Sequence, residues 1–412
     1  MKNMLKLPDG WEKVELGKYF SRLTRKNDEG NTNVLTISAQ HGLVSQQEFF
    51  NKLIASDDKS NYFLLERGDF AYNKSYSAGY PFGAVKSLEK YEKGIVSPLY
   101  ICFKKTDDNK CPEYFLHYFE AGFANKEICA IAQEGARNHG LLNISTDDFF
   151  KIKIQLPPLP EQQKIAEILS TQDKIIELKE KLLEQKQGQK KSLMKKLFSP
   201  DGATFTLGGV KIDKSGWVKK CLGDISKIKG GKRIPKGFSL TSVNTGHPYL
   251  TVSNMKKGTI EGDILFVPEN IIEEIKSYRV DAGDIYITVA GTLGTIGIIP
   301  EKYDKANLTE NADKIVDVKC NKLFLYHLLT SSVIQDQVAS SQTNSAQPKL
   351  AIQQIQGFVF SLPSLPEQQA IAEVLSTADK EIDLLKSEIE QEKFKKKALM
   401  QLLLTGIVRV RV

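Results

Sequence analysis

Residues 156–199 read LPPLPEQQKIAEILSTQDKIIELKEKLLEQKQGQKKSLMKKLFS, and residues 362–405 read LPSLPEQQAIAEVLSTADKEIDLLKSEIEQEKFKKKALMQLLLT. The second stretch begins 206 residues after the first (362 minus 156), which is half of the 412-residue chain. Without a gap, 24 of the 44 aligned positions are identical. Self-similarity at a fixed spacing indicates an internal repeat, so the chain consists of two related halves.

The repeat extends beyond this stretch. Four further pairs recur at or near the same spacing: Gly10-Trp11 with Gly216-Trp217, Leu16-Gly17 with Leu222-Gly223, Arg67-Gly68-Asp69-Phe70 with Ala282-Gly283-Asp284-Ile285, and Asn138 with Asn344. The sequences between these pairs hardly resemble each other. Repeated motifs separated by unlike sequences indicate that the two halves have the same mechanical role and bind different targets.

Composition is that of an ordinary globular protein, with 41% hydrophobic and 26% charged residues. We find no apolar run long enough to span a membrane and no apolar signal core near the N-terminus. Five cysteines without a CxxC spacing argue against a disulfide framework or a zinc site, so we expect a reduced, cytoplasmic protein. The net charge of +7 favours a polyanionic partner only weakly.

The predicted fold class is α+β, with two similar globular domains joined by two long helices. β-like runs such as 32–37 and 95–103, and in the second half 284–289, 297–299 and 314–318, alternate with turn signals and predict irregular, mostly antiparallel sheets. Residues 112–123 and 146–150 are expected to form short helices. The expected boundaries are a first domain at 1–155, a first helix at 156–199, a linker at 200–213, a second domain at 214–361, a second helix at 362–406 and a tail at 407–412.

Each repeated block is predicted to form one long helix. Prolines open it, a glutamate follows near its positive end, and about 38 residues at ~1.5 Å each give a rod of about 57 Å. In both copies apolar residues recur at every seventh position and form a stripe along the helix. The stripe is interrupted by Lys190 in the first copy and by Lys396 in the second. The stripe predicts a coiled-coil seam. Its members are Leu169, Ile176, Leu183, Leu197, Leu375, Ile382, Ile389 and Leu403.

Chain connectivity favours an antiparallel pairing of the two helices, with an approximate two-fold axis through the coiled coil. A helix packed only on its own domain is the alternative. Lysines also collect late in each helix, and we interpret them as charge matched to the negative helix end rather than as DNA contacts. They are Lys186, Lys190, Lys191, Lys195, Lys196, Lys393, Lys395, Lys396 and Lys397.

Motifs of common enzymes are missing. The run Lys229-Gly230-Gly231-Lys232-Arg233 lacks the spacing and the Ser/Thr of a P-loop, and neither an HExxH helix nor a GxSxG elbow occurs. Ser97-Pro98-Leu99-Tyr100 only faintly resembles an adenine methyltransferase loop. A nuclease-like pattern can be forced, with Asp263 upstream of Glu274-Ile275-Lys276, but Glu-x-Lys is common on helix surfaces. The sequence therefore predicts a binding scaffold with no catalytic residues, metal or cofactor of its own.

Candidate DNA-binding residues occur in both halves. Cations neutralise phosphates, Arg can pair with guanine, and Asn can pair with adenine. In the first domain the candidates are Arg67, Lys74, Arg137 and Asn138, accompanied by Tyr72, Tyr76 and His139. In the second domain they are Lys229, Lys232, Arg233, Lys236 and Asn344, within or beyond a glycine-rich basic loop whose amides could approach a polyanion. A solvated surface loop is the alternative interpretation of this basic run.

Taken in order along the chain, these motifs resemble those of the type I restriction-modification DNA specificity subunit. The resemblance rests on Leu-Pro-x-Leu-Pro-Glu-Gln-Gln-x-Ile-Ala-Glu occurring twice, on Gly-Trp before Leu-Gly in each half, and on the ending 399–410. The first copy departs from this pattern, because it ends in Phe198-Ser199 instead of Leu404-Thr405-Gly406.

The resemblance implies that each domain reads one half of a bipartite asymmetric site on double-stranded DNA. It also implies that the helices set the unread gap and dock two methyltransferase subunits. S-adenosylmethionine, ATP and magnesium would then belong to partner subunits, among them motor or endonuclease subunits. The competing hypothesis is a coiled-coil adaptor that holds two protein-binding domains and has no role on DNA.

Overall fold

A computed structural model describes residues 7–38, 42–50, 59–76, 79–106, 111–132, 142–199, 204–256, 258–341 and 349–412. The chain divides into two compact units. The first comprises Met1–Glu180 together with Ser387–Val412, and the second comprises Lys181–Lys386. Each long helix therefore contributes one part of its length to each unit.

The described residues of the first unit alternate strands with short helices before the first long helix. They form β1 (Glu12–Glu15), β2 (Phe20–Arg22), β3 (Leu35–Ser38), β4 (Gly42–Ser45), α1 (Gln46–Phe50), β5 (Phe63–Glu66), β6 (Phe70–Asn73), β7 (Ala84–Ser87), β8 (Lys93–Val96), β9 (Ile101–Lys105), α2 (Pro112–Glu120), α3 (Asn125–Ile131), α4 (Thr146–Lys151), β10 (Lys153–Leu156) and α5 (Leu159–Phe198). The predicted strand 95–103 is interrupted, because Pro98 fixes its backbone in a turn closed by Tyr100 N–H donating to Ser97 O at 3.1 Å.

The second half of the chain also alternates strands with short helices before its long helix, in a related but not identical order. It forms β11 (Thr204–Leu207), β12 (Val210–Asp213), β13 (Val218–Cys221), α6 (Leu222–Ile225), β14 (Lys227–Gly230), β15 (Pro248–Leu250), β16 (Leu265–Phe266), α7 (Ile272–Ile275), β17 (Ile285–Thr288), β18 (Ile296–Ile298), β19 (Asn307–Leu308), β20 (Ala312–Val316), α8 (Lys322–Leu329), α9 (Ser332–Ser340), α10 (Ile352–Gln356), β21 (Val359–Leu362) and α11 (Leu365–Leu404). Strands β11 and β12 form a hairpin within 200–213, the segment predicted as a linker. Ile212 of this hairpin is fully buried, so the segment is part of the second unit's core.

Each unit contains one four-stranded antiparallel sheet of the same design. The strand order is β2-β9-β6-β7 in the first unit and β14-β20-β17-β18 in the second. Phe70 lies opposite Phe103 in one sheet, and Ile285 lies opposite Ile315 in the other. The predicted α+β class with mostly antiparallel sheets is confirmed, and the β15–β19 pair is parallel.

The two equivalent sheets carry different cores. In the first unit aromatic rings fill the interior, with the Phe20 ring 5.2 Å from that of Phe70 and 4.8 Å from that of Phe115. In the second unit aliphatic side chains such as Ile285 and Leu325 dominate. A common frame can accept either packing because total volume and apolar pattern matter more than residue identity.

The repeated Gly-Trp and Pro-Glu-Gln-Gln motifs are joined through the start of each long helix. Trp11 Nε1 donates to Glu161 Oε2 at 3.1 Å, and Trp217 Nε1 donates to Glu367 Oε1 at 3.1 Å. The following glutamine closes the first turn, since Gln162 Nε2 donates to the Pro157 carbonyl at 2.8 Å. These paired contacts explain why the two motifs recur together.

The long helices pair in antiparallel fashion within each unit. In the first unit Lys396 Nζ lies 2.5 Å from Asp173 Oδ1, and Lys179 Nζ lies 3.1 Å from Glu388 Oε2, so residue numbers rise along one helix as they fall along the other. In the second unit Lys186 Nζ lies 2.8 Å from Glu381 Oε2. The predicted antiparallel coiled coil is confirmed.

The predicted seam residues face inward with one partial exception. Leu169, Ile176, Leu197, Leu375, Ile382, Ile389 and Leu403 are buried. Leu183 is half-buried. The sequence-based interpretation, in which the late lysines mainly compensate the negative end of the helix dipole, is incomplete. Several of these lysines form ion pairs with the opposite helix. Lys190 binds Asp379, for example, and Lys393 binds Glu180.

None of the helices in the described part of the chain combines the length and the apolar character that a membrane span requires.

Candidate nucleic-acid interface

The basic loop of the second domain leaves an edge of its main sheet. Lys229 lies on β14, the outermost strand of the order β14-β20-β17-β18, and its side chain is exposed. Lys232 and Arg233 follow at the end of the strand. Lys236 lies in a turn closed by Phe238 N–H donating to Pro235 O at 3.2 Å. All four predicted cations are therefore solvent-exposed along one continuous segment.

Two of these cations have partners inside the domain. Arg233 Nε donates to Glu310 Oε1 at 2.6 Å, and this hydrogen bond raises the pKa of the guanidinium. Lys232 Nζ lies 5.6 Å from the centroid of the Tyr278 ring, a cation–π contact. These contacts hold the long side chains over the edge of the sheet while leaving Arg233 largely exposed.

The glycine at position 231 of this loop is required by the fold. A Cβ on Gly231 would lie 2.0 Å from the Thr309 carbonyl oxygen and 2.4 Å from that of Leu308. The Gly231 amide donates to Ala312 O at 3.1 Å, and the Lys232 amide donates to Leu308 O at 2.8 Å. The amides of Gly231 and Lys232 are thus already bonded to the segment 308–312 of the same domain.

Exposed apolar side chains extend the same loop, and sequence analysis did not single them out. The side chain of Phe238 is 41% exposed and that of Val243 is 69% exposed, which is unusual for residues of this size. Apolar side chains beside cations can contact base methyl groups or sugars while the cations bind phosphates. No sequence signal would have found them, because their exposure depends on how the loop leaves the sheet.

In the first domain, Arg67 is occupied by other residues. Its Nε and Nη2 donate to Glu92 Oε1 at 3.0 and 2.6 Å, and its Nη1 donates to the Glu89 carbonyl at 2.7 Å. The guanidinium therefore closes a turn. It could contact DNA only through its exposed edge or after these bonds break.

Lys74 and Tyr76 follow strand β6, and the Lys74 carbonyl is bonded to the amide of Leu142. Lys74 is half-buried, and burial lowers the pKa of its amine. Tyr76 is 65% exposed. Tyr72 is different, because its ring is fully buried against Phe149. Tyr72 therefore belongs to the core.

The remaining predicted residues, Arg137, Asn138 and Asn344, lie outside the described residues, as does His139. The chain that flanks them is anchored in the same way in both halves. The Leu142 amide donates to Lys74 O at 3.0 Å, and the Leu350 amide donates to Val289 O at 3.0 Å. Leu142 and Leu350 are thus bonded to the residues that directly follow equivalent strands of the two sheets, β6 and β17.

Comparison with known proteins identifies the family. The sequence model of the type I restriction modification DNA specificity domain matches residues 8–185 and again residues 214–392. Two specificity subunits of Methanocaldococcus jannaschii are similar along nearly their whole length. The MjaVIII subunit is 26% identical, with 99% of this chain and 95% of that protein covered. The putative MjaX subunit is 27% identical, with 98% and 95% covered.

Solved structures agree on the fold. The type I restriction-modification S subunit from M. genitalium superposes with a TM-score of 0.58 at 18% identity, covering 97% of this chain and 98% of that one. A chain from a study of assembly and conformational transition of a type I restriction-modification system gives a TM-score of 0.58 at 15% identity, covering 98% and 100%.

The chain belongs to the type I restriction-modification DNA specificity family, because the family model matches both halves. It is a specificity subunit that recognises a DNA target and leaves catalysis to other subunits. The alternative of an adaptor without a role on DNA finds no support.

Proposed function

We propose that each domain reads one half of a bipartite, asymmetric site on double-stranded DNA. The observation that carries this proposal is the pair of equivalent sheets with different cores and different exposed side chains. In the second domain, Lys229, Lys232, Arg233 and Lys236 would bind phosphates, beside Phe238 and Val243. In the first domain, Lys74, Tyr76 and the outer edge of Arg67 would take part, and Arg137, Asn138 and Asn344 remain candidates for base contacts.

The helix pair would set the number of unread base pairs. Each helix contains 40 residues, and at ~1.5 Å per residue it is about 60 Å long. Because the two domains differ, the half-sites that they bind would differ in sequence. The gap between the half-sites would depend on the length of the helices.

The outer face of the helices would dock two methyltransferase subunits. Leu178 and Leu384 occupy equivalent positions of the repeat, and their side chains are 53% and 63% exposed. Large apolar residues at equivalent exposed positions suit a contact made twice by identical partners. S-adenosylmethionine would bind to those partners, while ATP and magnesium would serve motor or endonuclease subunits. The complex would act in the cytoplasm.

The test is to assemble the chain with a compatible methyltransferase subunit and to map methylated adenines across a genome. We expect a single motif with two unlike half-sites and one fixed gap. Removing seven residues from each helix, 179–185 and 385–391, leaves Leu178 and Leu384 in place, and it should shorten the gap and keep both half-sites. An unchanged gap in the shortened variant would rule out the helix pair as the spacer.

Salt dependence tests the DNA-binding loop. The variant with Lys229, Lys232 and Lys236 changed to Gln should bind the cognate site more weakly, and its affinity should fall less steeply with salt because fewer phosphates are neutralised. Lys211 on the hairpin and Lys219 on β13 are exposed, and Lys220 on β13 is half-buried. Changing these three lysines to Gln is the matched control. Equal salt slopes for the two variants would argue against this loop as a phosphate-binding surface.

A further inference from the structure

Each unit contains a polar cluster where a domain helix meets both long helices. In the first unit, His117 of α2 has its Nε2 3.1 Å from Ser170 Oγ of α5 and its Nδ1 3.8 Å from Asp173 Oδ2. Asp173 also binds Lys396 of α11 through Oδ1 at 2.5 Å. One carboxylate therefore lies between an imidazole of the domain and an ammonium of the second helix.

The second unit repeats the cluster with its helices exchanged. His327 of α8 has its Nε2 3.1 Å from Ser376 Oγ of α11 and its Nδ1 3.7 Å from Asp379 Oδ2. Asp379 in turn binds Lys190 of α5. We call these two groups the junction clusters: His117, Ser170, Asp173 and Lys396 in the first unit, and His327, Ser376, Asp379 and Lys190 in the second.

The histidines and lysines of the clusters are largely enclosed, whereas the side chains of Asp173 and Asp379 are 44% and 33% exposed. His327 is 1% exposed, and its Nδ1 has no hydrogen-bond partner within the described parts of the chain. The side chains of Lys190 and Lys396 are 17% and 16% exposed, much less than those of surface lysines on the same helices. Placing these groups away from water has a cost in stability, which calls for a reason other than solubility.

The two lysines stand where the apolar stripe would otherwise continue. A stripe of leucine and isoleucine repeating every seven residues packs almost equally well after a shift of one repeat. A seam lysine forms its ion pair only when an aspartate lies opposite, so a shifted pairing leaves it buried without a partner. Polar groups in a coiled-coil seam therefore select one alignment at some expense of stability.

We propose that the junction clusters are positioning devices that fix the alignment of the two helices and, through His117 and His327, the attachment of each domain to that alignment. The aspartate is shared, so the helix alignment and the domain attachment are set by one group. This inference rests on the proposed function, because a fixed alignment matters to a spacer between half-sites.

The test replaces both seam lysines by methionine, which keeps length and completes the apolar stripe. The Lys190→Met, Lys396→Met chain, assembled with its methyltransferase, should keep or raise its unfolding temperature. A shift of one seven-residue repeat moves one helix along the other by about 10 Å, which corresponds to about three base pairs. Methylation at sites whose gap is about three base pairs longer or shorter should therefore rise roughly ten-fold relative to the wild-type complex, the effect of losing about 1.4 kcal/mol of discrimination. A residue with a merely structural role would instead lower the unfolding temperature and leave the gap unchanged.

The matched control is Lys186→Met with Lys393→Met. These substitutions remove two exposed ion pairs between the same helices, to Glu381 and to Glu180. The control should keep the strict gap. The pair Asp173→Asn with Asp379→Asn repeats the test with an isosteric change and decides the matter if the methionine variant does not fold.

The outcomes separate the two proposals. A wild-type complex without a preferred gap refutes the proposed function. A wild-type complex with one gap, together with methionine and asparagine variants that keep it, overturns only the positioning role of the junction clusters.

Discussion

Arg409 and Glu161, 248 residues apart in sequence, form a two-pronged ion pair, with Arg409 Nε 2.7 Å from Glu161 Oε1 and Nη2 2.8 Å from Oε2. Glu161 also accepts the hydrogen bond of Trp11, and its side chain is only 4% exposed. Three segments of the first unit therefore meet at one carboxylate. Glu367, its counterpart in the repeat, accepts the equivalent hydrogen bond from Trp217. In place of an arginine, Glu367 accepts hydrogen bonds from the Ser364 hydroxyl and the Asp213 amide.

Arg409→Ala should lower the stability of the first unit, because Glu161 would keep its burial and lose its charged partner. We expect an earlier thermal transition and faster hydrogen exchange at Trp11. Arg411→Ala, an exposed arginine two residues away, is the control and should leave both unchanged. Equal effects of the two substitutions would contradict the importance of the Glu161 pair.

Gly231→Ala should destabilise the second unit by more than about 2 kcal/mol, because the added Cβ meets two backbone carbonyl oxygens that cannot move independently. Gly230→Ala is the matched control, since its nearest neighbour, Asp313 Oδ1, lies at 3.4 Å. Urea unfolding of the two variants measures the difference. A similar loss for both would show that the close approach at Gly231 is relieved cheaply.

Buried histidines should make the protein sensitive to mild acid. Burial lowers the pKa of His117 to about 4 and that of His327 to about 3, from an ordinary 6.5. The unfolded chain then binds more protons below pH 6.5, so the stability these neutral rings contribute is complete above that value and is lost as pH falls towards the folded pKa.

His327→Gln isolates this effect. Between pH 6.5 and pH 5, the stability of the wild-type second unit relative to the variant should fall by about 1–2 kcal/mol. Asp313 works in the opposite sense in both proteins, since burial raises its pKa to about 6 and its contribution is lost as pH rises through that value. Because Asp313 is present in both proteins, its pH-dependent contribution cancels when the stability of the variant is subtracted from that of the wild type. A constant difference across the range would contradict a buried neutral histidine.

Two leucine substitutions in α11 should distinguish residues that stabilise the fold from residues that bind the methyltransferase subunit. Leu375→Ala removes a fully buried side chain and should cost about 2–5 kcal/mol. Leu384→Ala, at a side chain that is 63% exposed, should leave stability within about 0.5 kcal/mol and weaken binding of the methyltransferase subunit. Calorimetry and analytical ultracentrifugation measure the two effects. Unimpaired assembly of Leu384→Ala would remove that face from the docking surface.

The long helices and their seam could be predicted because their signals are local and occur twice. The position of Leu169 or Leu375 follows from a seven-residue period that needs no knowledge of distant residues. The engagement of Arg67 by Glu92, and the need for glycine at Gly231, could not be predicted in this way. Both depend on which strands lie side by side, and that information is not contained in the neighbouring residues.

The lysines show the same limit on the helices themselves. The sequence predicts Lys190 and Lys396 as interruptions of the seam, and it contains the matching aspartates at the repeated spacing. Their pairing depends on the alignment of two helices whose starts lie 206 residues apart (365 minus 159). The repeat of Ser-Thr-x-Asp-Lys in both helices, together with a histidine in each domain, was a signal that could have been followed.

The division of the chain into a contiguous second unit and a discontinuous first unit has a consequence for synthesis on the ribosome. Residues 181–386 can complete their fold as soon as they have emerged. Until residues 387–412 have emerged, the first domain lacks Leu403 and Leu404, which pack in the same core as Leu169, and Glu161 lacks its partner Arg409. A nascent chain that stalls late would therefore carry a finished second domain and an unfinished first one, exposing apolar surface that chaperones and proteases recognise.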